Sequence, residues 1–231
     1  MKIIILAAGR GSRMGSHTDD RPKCLTIVKG KSLLESALEA CYSIAHENDV
    51  VIIGGYKHEM LEEFHSRILV NGDWAKTNIM GSLMVAHDIL MSEDCVVVYS
   101  DILFDVNDLS SLADSDGASV LSVMDWRALW ERRFYDPLTD LERFEFNPDS
   151  GRLTDIGGRA RNIDQVQGQF GGIWKCTPSL WSLLSRAAEN LRCLDTTTAL
   201  SWAINQNAEI KVVPGKGEWF EIDHVTDLDT T

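Results

Sequence analysis

Positive charge is scarce in this 231-residue chain: 22 lysines and arginines stand against 35 aspartates and glutamates, for a formal net charge of −13. Nucleic acid and anionic membranes both demand a cationic face, so general binding to either is excluded. Any phosphate site must be built locally, from a few basic residues and backbone amides. Long apolar runs are missing as well. The opening Met1-Lys2-Ile3-Ile4-Ile5-Leu6 could pass for the start of a signal peptide, but Arg10 and Arg13 follow almost at once, and a bilayer span needs about 20 apolar residues. Nothing addresses the chain out of the cytoplasm. The cysteines, Cys24, Cys41, Cys95, Cys176 and Cys193, are odd in number and scattered. They include no C-x-x-C pair and have no histidine at ligand spacing, which disfavours a zinc site or disulfide framework and leaves free, mostly buried thiols.

Hydrophobic content of 44% and charged content of 25% are those of a globular protein, and the length suits one compact domain with an elaborated edge. Lys2 to Leu6 is a short, Ile-rich run that stops at a glycine loop, the pattern of a strand buried on both faces of a parallel sheet. Helical spacing over 32–44 (Leu33, Leu34, Ala37, Leu38, Cys41) precedes a second strand, Val50 to Ile53, ended by Gly54-Gly55. Helices are expected over 57–69 and 78–90, and a third buried strand over 96–99. This alternation predicts an α/β fold, a Rossmann-like, doubly wound, mainly parallel sheet with ligands at the carboxyl ends of its strands. The second half is less regular. Positions 126–168 show no strong period and contain Pro137 and Pro148, so they read as an excursion that covers the site. Beyond it, a strand at 170–174, helices near 179–191 and 196–205, and strands at 210–213 and 219–222 resume the core. No repeat or linker divides the chain. One domain over 1–231 is expected, with a regular first half at about 1–124 and a site-covering excursion at about 125–168 that returns to the core.

The most informative segment is Leu6-Ala7-Ala8-Gly9-Arg10-Gly11-Ser12-Arg13-Met14-Gly15, followed by Arg21-Pro22-Lys23. Small residues straight after a buried strand let backbone amides approach and cradle phosphate oxygens. Arg13 and Lys23 add positive charge. A P-loop would need Gly-Lys where Met14-Gly15 stand, and a dinucleotide fingerprint would need a glycine at Met14 and an acidic residue after the second strand, where the chain has Gly54-Gly55-Tyr56. Two aspartates follow strands, Asp101 after Val96-Val97-Val98-Tyr99-Ser100 and Asp223 after Trp219-Phe220-Glu221-Ile222. Each alone would be read as a helix cap. Together they offer the hard oxygen ligands that Mg²⁺ takes alongside phosphate oxygens.

This pattern resembles the nucleotide-diphospho-sugar transferase superfamily, whose signature L-A-A-G-x-G-[ST]-R is followed by P-K. The resemblance implies a nucleotidyltransferase of the GT-A-like fold in which Leu6, Ala7, Ala8, Gly9, Gly11, Ser12, Arg13 and Lys23 wrap the triphosphate. It makes Arg13 and Lys23 catalytic, and Asp101 and Asp223 the ligands of the cofactor Mg²⁺. Asp101 then serves the nucleotide as well. A proline common a few residues after the arginine in sugar-type members is replaced here by Met14-Gly15-Ser16. Within the superfamily the chain is most similar to small cytidylyltransferases of the phosphocholine and phosphonate type. Thr77-Asn78-Ile79-Met80-Gly81-Ser82-Leu83 is similar to their helix start near the base, which implies that Asn78 and Ser82 contact the nucleotide; a helix cap accounts equally for Asn78. The resemblance implies CTP as donor and a small phosphonate or phosphorylated acid as acceptor, with a homodimer as an open expectation. Arg127, Arg132 and Arg133, in Trp126-Arg127-Ala128-Leu129-Trp130-Glu131-Arg132-Arg133, are the expected acceptor-binding groups, because the arginine fork suits phosphonate oxygens. The alternative for these three is a surface cluster paired with Glu131, Asp136 and Asp140. Phosphocholine and sugar 1-phosphates are alternative acceptors, and a catalytically silent nucleotide-binding module is the non-enzyme alternative.

Overall fold

The computed structural model describes residues 1–186 and 192–229. In chain order its strands are β1 (Lys2–Ala7), β2 (Ile27–Val28), β3 (Lys31–Ser32), β4 (Val50–Gly54), β5 (Ile68–Val70), β6 (Cys95–Tyr99), β7 (Ile102–Phe104), β8 (Ser119–Val123), β9 (Glu142–Phe146), β10 (Leu153–Arg159), β11 (Gln169–Cys176), β12 (Lys211–Gly215) and β13 (Trp219–Glu221). The helices are α1 (Leu33–Tyr42), α2 (Ile79–Leu83), α3 (His87–Ser92), α4 (Val106–Ala113), α5 (Trp126–Arg133), α6 (Pro178–Arg186) and α7 (Thr196–Asn205).

Seven strands form the central sheet in the order β12-β8-β11-β6-β1-β4-β5. β11 alone runs against its neighbours β6 and β8; the remaining pairings are parallel. β1 is central because its side chains are apolar in both directions. Ile3 and Ile5 enter one core with α1 and α4, and Ile4 enters the other with α2, α3, α6 and α7. Helices on both faces make the fold doubly wound, as the alternation predicts. Caps place the helices. Ser32 and Glu35 form a reciprocal box at the start of α1, with Glu35 N donating to Ser32 Oγ at 3.1 Å and Ser32 N to Glu35 Oε2 at 2.8 Å. Asp195 accepts from Thr198 N at 2.7 Å at the start of α7, satisfying amides that would otherwise lack partners.

Several expectations change. The helix expected over 57–69 is a short 3-10 turn, His58–Leu61, followed by edge strand β5. Lys57 adopts a left-handed conformation there (φ 47°), and the β-branched and apolar Ile68-Leu69-Val70 pairs with β4 instead of completing a helix. The helix expected over 78–90 is broken into α2, a 3-10 turn and α3, where Ala86 leaves helical geometry (φ −102°, ψ 19°). The excursion is ordered: α5 comes first, then the antiparallel hairpin β9–β10. The helix expected over 179–191 is α6 as far as Arg186; its last positions lie outside the described residues. Among the described residues no helix is long and apolar enough to cross a membrane.

One unforeseen pairing positions the site. β7 and β13 form an antiparallel ribbon with Ile102 opposite Glu221, and Ile222 N donates to Asp101 O at 2.9 Å. Asp101 and Asp223, 122 positions apart, flank this ribbon and therefore meet.

Candidate active site

The glycine loop leaves β1 at the carboxyl edge of the sheet and closes over Lys23. Gly11 is left-handed (φ 73°), and a Cβ built on it would stand 2.7 Å from Lys23 Cβ, so only glycine lets the loop lie on the lysine stem. A Cβ on Gly55 would stand 2.6 Å from the Ala8 carbonyl oxygen and 2.7 Å from Trp74 Cβ. The end of β4 thus packs directly on the loop, and Tyr56 N donates to Ala8 O at 3.0 Å. Gly9 differs: a Cβ there would meet nothing, and its backbone borders an open cavity.

Lys23 lies at the centre, its pyrrolidine neighbour Pro22 turning the chain inward (ψ 152°). Its Nζ donates to Asp101 Oδ2 at 2.6 Å and to Asp223 Oδ1 at 3.0 Å. Arg13, more exposed, pairs with the other oxygen of Asp223. Burial disfavours the Lys23 charge, but the two aspartates more than offset it, and its pKa lies above the ordinary lysine value. Glu221 completes the cluster. Enclosure at the foot of the cleft, with Asp101 and Asp223 beside it, pushes its carboxyl up to about 7.

This cluster lies where two cavities meet. The first, of about 190 Å³, is bordered by Leu6, Ala8, Gly9, Lys23, Asn78, Ser82 and Asp101, with Trp74, Thr77 and Tyr99 as further walls. The second, of about 290 Å³, holds Arg13 and Asp223 and shares Ile79 and Tyr99 with the first. The loop, lysine and aspartates are therefore brought together as the sequence suggests. Ala7 is buried in β1 opposite Gly54, and exposed Ser12 opens a 3-10 turn, so neither borders the cavity.

The three arginines expected to bind the acceptor do not converge. Arg127 is exposed and stacks over Trp126, 5.0 Å from the ring centroid. Arg132 borders a separate cavity with Asp108, Met124 and Lys216. The side chain of Arg133 is 5% exposed and held by Asp227 (3.2 and 3.3 Å) and Glu221 (3.5 Å). A helix cannot present these three residues on one side, since at 3.6 residues per turn Arg132 and Arg133 stand roughly 140° and 240° around the axis from Arg127. In place of these three arginines, the second cavity presents Asp140, Glu142, Asp195 and Glu221 with Tyr99, Trp130 and Phe170. Asp140 accepts from Trp130 Nε1 at 2.9 Å, and Tyr99 donates to Thr196 Oγ1 at 2.8 Å. The left-handed Gly172 (φ 70°) lies in the irregular stretch of β11 between Phe170 and Trp174, and Phe170 stands edge-on to Tyr99 at 5.8 Å. The turn into the β9–β10 hairpin brings Asp140 and Glu142 to the cavity that Asp195 also borders. Trp74 gave no signal in sequence.

Two outcomes follow locally. Arg133→Ala removes the guanidinium that pairs with Asp227 and Glu221 and is expected to cost about 3–5 kcal/mol, the usual loss when one partner of a buried pair is removed. Thermal melting reads it; an unchanged Tm would contradict this structural role. Gly11→Ala must displace the Lys23 stem and hold an alanine left-handed, costing roughly 1–3 kcal/mol. A raised nucleotide KM is expected, and wild-type kinetics for that variant would mean that the loop does not lie on Lys23.

Cationic side chains set against paired carboxylates, under a loop whose backbone is open to phosphate, meet the needs of nucleotidyl transfer, and the enzyme is a nucleotidyltransferase. The chain belongs to the MobA-like NTP transferase domain family, whose model matches residues 3–145. Among curated relatives it is 27% identical to the CTP:phosphoglutamine cytidylyltransferase of Campylobacter jejuni, over 99% of this chain and 98% of that protein. It is 36% identical to the choline-phosphate cytidylyltransferase of Streptococcus pneumoniae over 38% of this chain and 40% of that one. Among solved structures, the inositol-1-phosphate CTP transferase of T. maritima shares the fold with a TM-score of 0.77 at 20% identity, covering 98% of this chain and 90% of that one. The CTP:phosphocholine cytidylyltransferase of Streptococcus pneumoniae does so with 0.74 at 21%, covering 99% and 96%.

Proposed function

We propose that the enzyme transfers a cytidylyl group from CTP to a phosphate or phosphonate oxygen of a small acceptor, releasing pyrophosphate. The observation that carries this reading is the position of Lys23, Arg13, Asp101 and Asp223 at the junction of the two cavities. The nucleotide occupies the first cavity, its phosphates against the loop amides. The acceptor occupies the second, its oxygen aimed at the α-phosphorus. The new P–O bond forms as the bond to pyrophosphate breaks in line. An ionised acceptor oxygen needs no strong base, so positioning and charge neutralisation by Lys23 and Arg13 supply the catalysis. Asp101 and Asp223, both within reach of one ammonium nitrogen, offer the oxygen pair that suits Mg²⁺, which would neutralise phosphate charge when bound. CTP as the donor is supported by the relatives named for cytidylyl transfer.

The acceptor carries a cationic nitrogen beside its phosphorylated group. The acidic, aromatic walls of the second cavity favour an ammonium, through carboxylate pairing and cation–π contact. Burial raises the Glu142 pKa, and a cation placed against it would relieve that cost. The acceptors for which the relatives are named, phosphoglutamine and choline phosphate, fit this description. An acceptor anchored by Arg127, Arg132 and Arg133 does not suit their placement. The test is a panel of CTP and UTP against aminoalkylphosphonates, phosphocholine, sugar 1-phosphates and phosphorylated acids lacking an amine, read by pyrophosphate release. Amine-free acids turned over as well as their amino counterparts would refute the cationic acceptor, and no release with any pair would refute the transfer itself.

A further inference from the structure

Asn71 lies just after β5, behind the nucleotide cavity, with only 1% of its surface exposed. Its amide orientation is determined by its neighbours. Asp73 N donates to Asn71 Oδ1 at 3.0 Å, which makes that atom the oxygen and leaves Nδ2 as the double donor. Nδ2 then donates to Thr77 Oγ1 and to Ser82 Oγ, both at 3.0 Å. Thr77 passes its own proton to Asp73 O at 3.1 Å. Ser82 differs. Its oxygen accepts from Asn71, and among the described residues its proton has no acceptor, while the side chain borders the cavity. The polarity of the Ser82 hydroxyl is therefore set from behind: it faces the cavity as a donor.

We infer that Asn71 is a positioning residue for base selection, making Ser82 a hydrogen-bond donor that accepts cytosine and rejects uracil. The inference rests on CTP being the donor nucleotide, and it deepens that reading. On the pyrimidine edge the two bases differ in polarity: N3 of cytosine is an acceptor, whereas N3 of uracil bears a proton. A hydroxyl free to rotate could serve either base. One locked as a donor pairs with cytosine N3 and sets proton against proton with uracil, and a site built to hydrogen-bond one partner rejects the mismatched one strongly because buried polar groups are left unpaired.

Asn71→Asp tests this with almost no change of shape. The carboxylate keeps the acceptor for Asp73 N but replaces the Nδ2 donor with a second acceptor, so Ser82 must turn its proton backwards and present lone pairs to the cavity. Titration calorimetry with CTP and with UTP, each with Mg²⁺, measures the two dissociation constants on the full chain without any acceptor. Wild type is expected to bind CTP more tightly. In Asn71→Asp the UTP-to-CTP ratio of dissociation constants should fall by roughly tenfold or more, the value of one hydrogen bond gained or lost. Added negative charge weakens both nucleotides alike and leaves that ratio untouched. Ser82→Ala, a smaller perturbation, should bring the ratio towards unity and keeps the test open if the aspartate variant does not fold. A CTP preference unmoved in Ser82→Ala, or in folded Asn71→Asp, overturns the inference while leaving CTP as the nucleotide. A wild-type preference for UTP overturns the nucleotide assignment itself.

Discussion

Replacing Lys23 by alanine is expected to reduce turnover by on the order of 10²–10³-fold, the loss typical of removing one preorganised group that stabilises developing charge. Lys23 Nζ is the only atom in the described site bonded to both Asp101 and Asp223, and its stem is clamped beneath Gly11. On the proposed reaction, that charge is held where phosphate charge would grow as pyrophosphate departs, with no reorganisation needed at that moment. CTP binding should suffer less than turnover, because in the proposed pose loop amides and the Trp74 cavity would still hold the nucleotide. The measurements are kcat by pyrophosphate release and CTP affinity by titration, with circular dichroism to show that the variant is folded. Unchanged turnover in a folded Lys23→Ala protein would exclude Lys23 from the chemistry.

Asp223→Asn is expected to raise the Mg²⁺ concentration needed for half-maximal activity by roughly 10–100-fold, and Asp101→Asn should do the same. Both side chains offer a hard anionic oxygen, and an amide keeps the shape while removing the charge that a divalent cation requires. The fold supplies a control. Asp227, which accepts from the backbone amides of Asp223 and His224 at 2.8 Å, holds the segment that carries Asp223. Loss of Asp227 should therefore lower stability as well as activity, whereas Asp223→Asn should act chiefly through the metal requirement. A magnesium titration that superimposes on wild type for either asparagine variant would remove that residue from the metal site.

The parts of the site legible in sequence are those built from contiguous residues. Gly9, Gly11, Arg13 and Lys23 lie within fifteen positions, and their chemistry follows from residue type: glycine where the backbone must approach, cations where phosphate must be held. Asp101 was legible for the same reason, as an acid ending a β-branched strand. Arg127, Arg132 and Arg133 do not gather at one site, because charge in a sequence carries no direction. Arg127 stacks on Trp126, Arg132 borders a separate cavity, and Arg133 is held by Asp227 and Glu221. The broken helices over 57–69 and 78–90 have a related cause: apolar periodicity marks which residues are buried, but a short segment with a left-handed residue or a mid-course kink buries them without remaining helical.

By itself the sequence determined the central strand β1, the loop that ends it, the alternation that winds helices onto both faces of the sheet, and the absence of any general cationic surface. All of these are local: they depend on runs of side-chain type and on caps such as Ser32–Glu35, whose partners are a turn apart. Only the tertiary structure decided what the loop faces. The β7–β13 ribbon joins Asp101 to Asp223 across 122 positions, the turn into the β9–β10 hairpin brings Asp140 and Glu142 to the cavity that Asp195 also borders, and Asn71 reaches Ser82 from behind the cavity. Such contacts form because strand pairing and core packing close long loops, and the free energy that selects them is spread over many buried residues rather than encoded at the positions that meet.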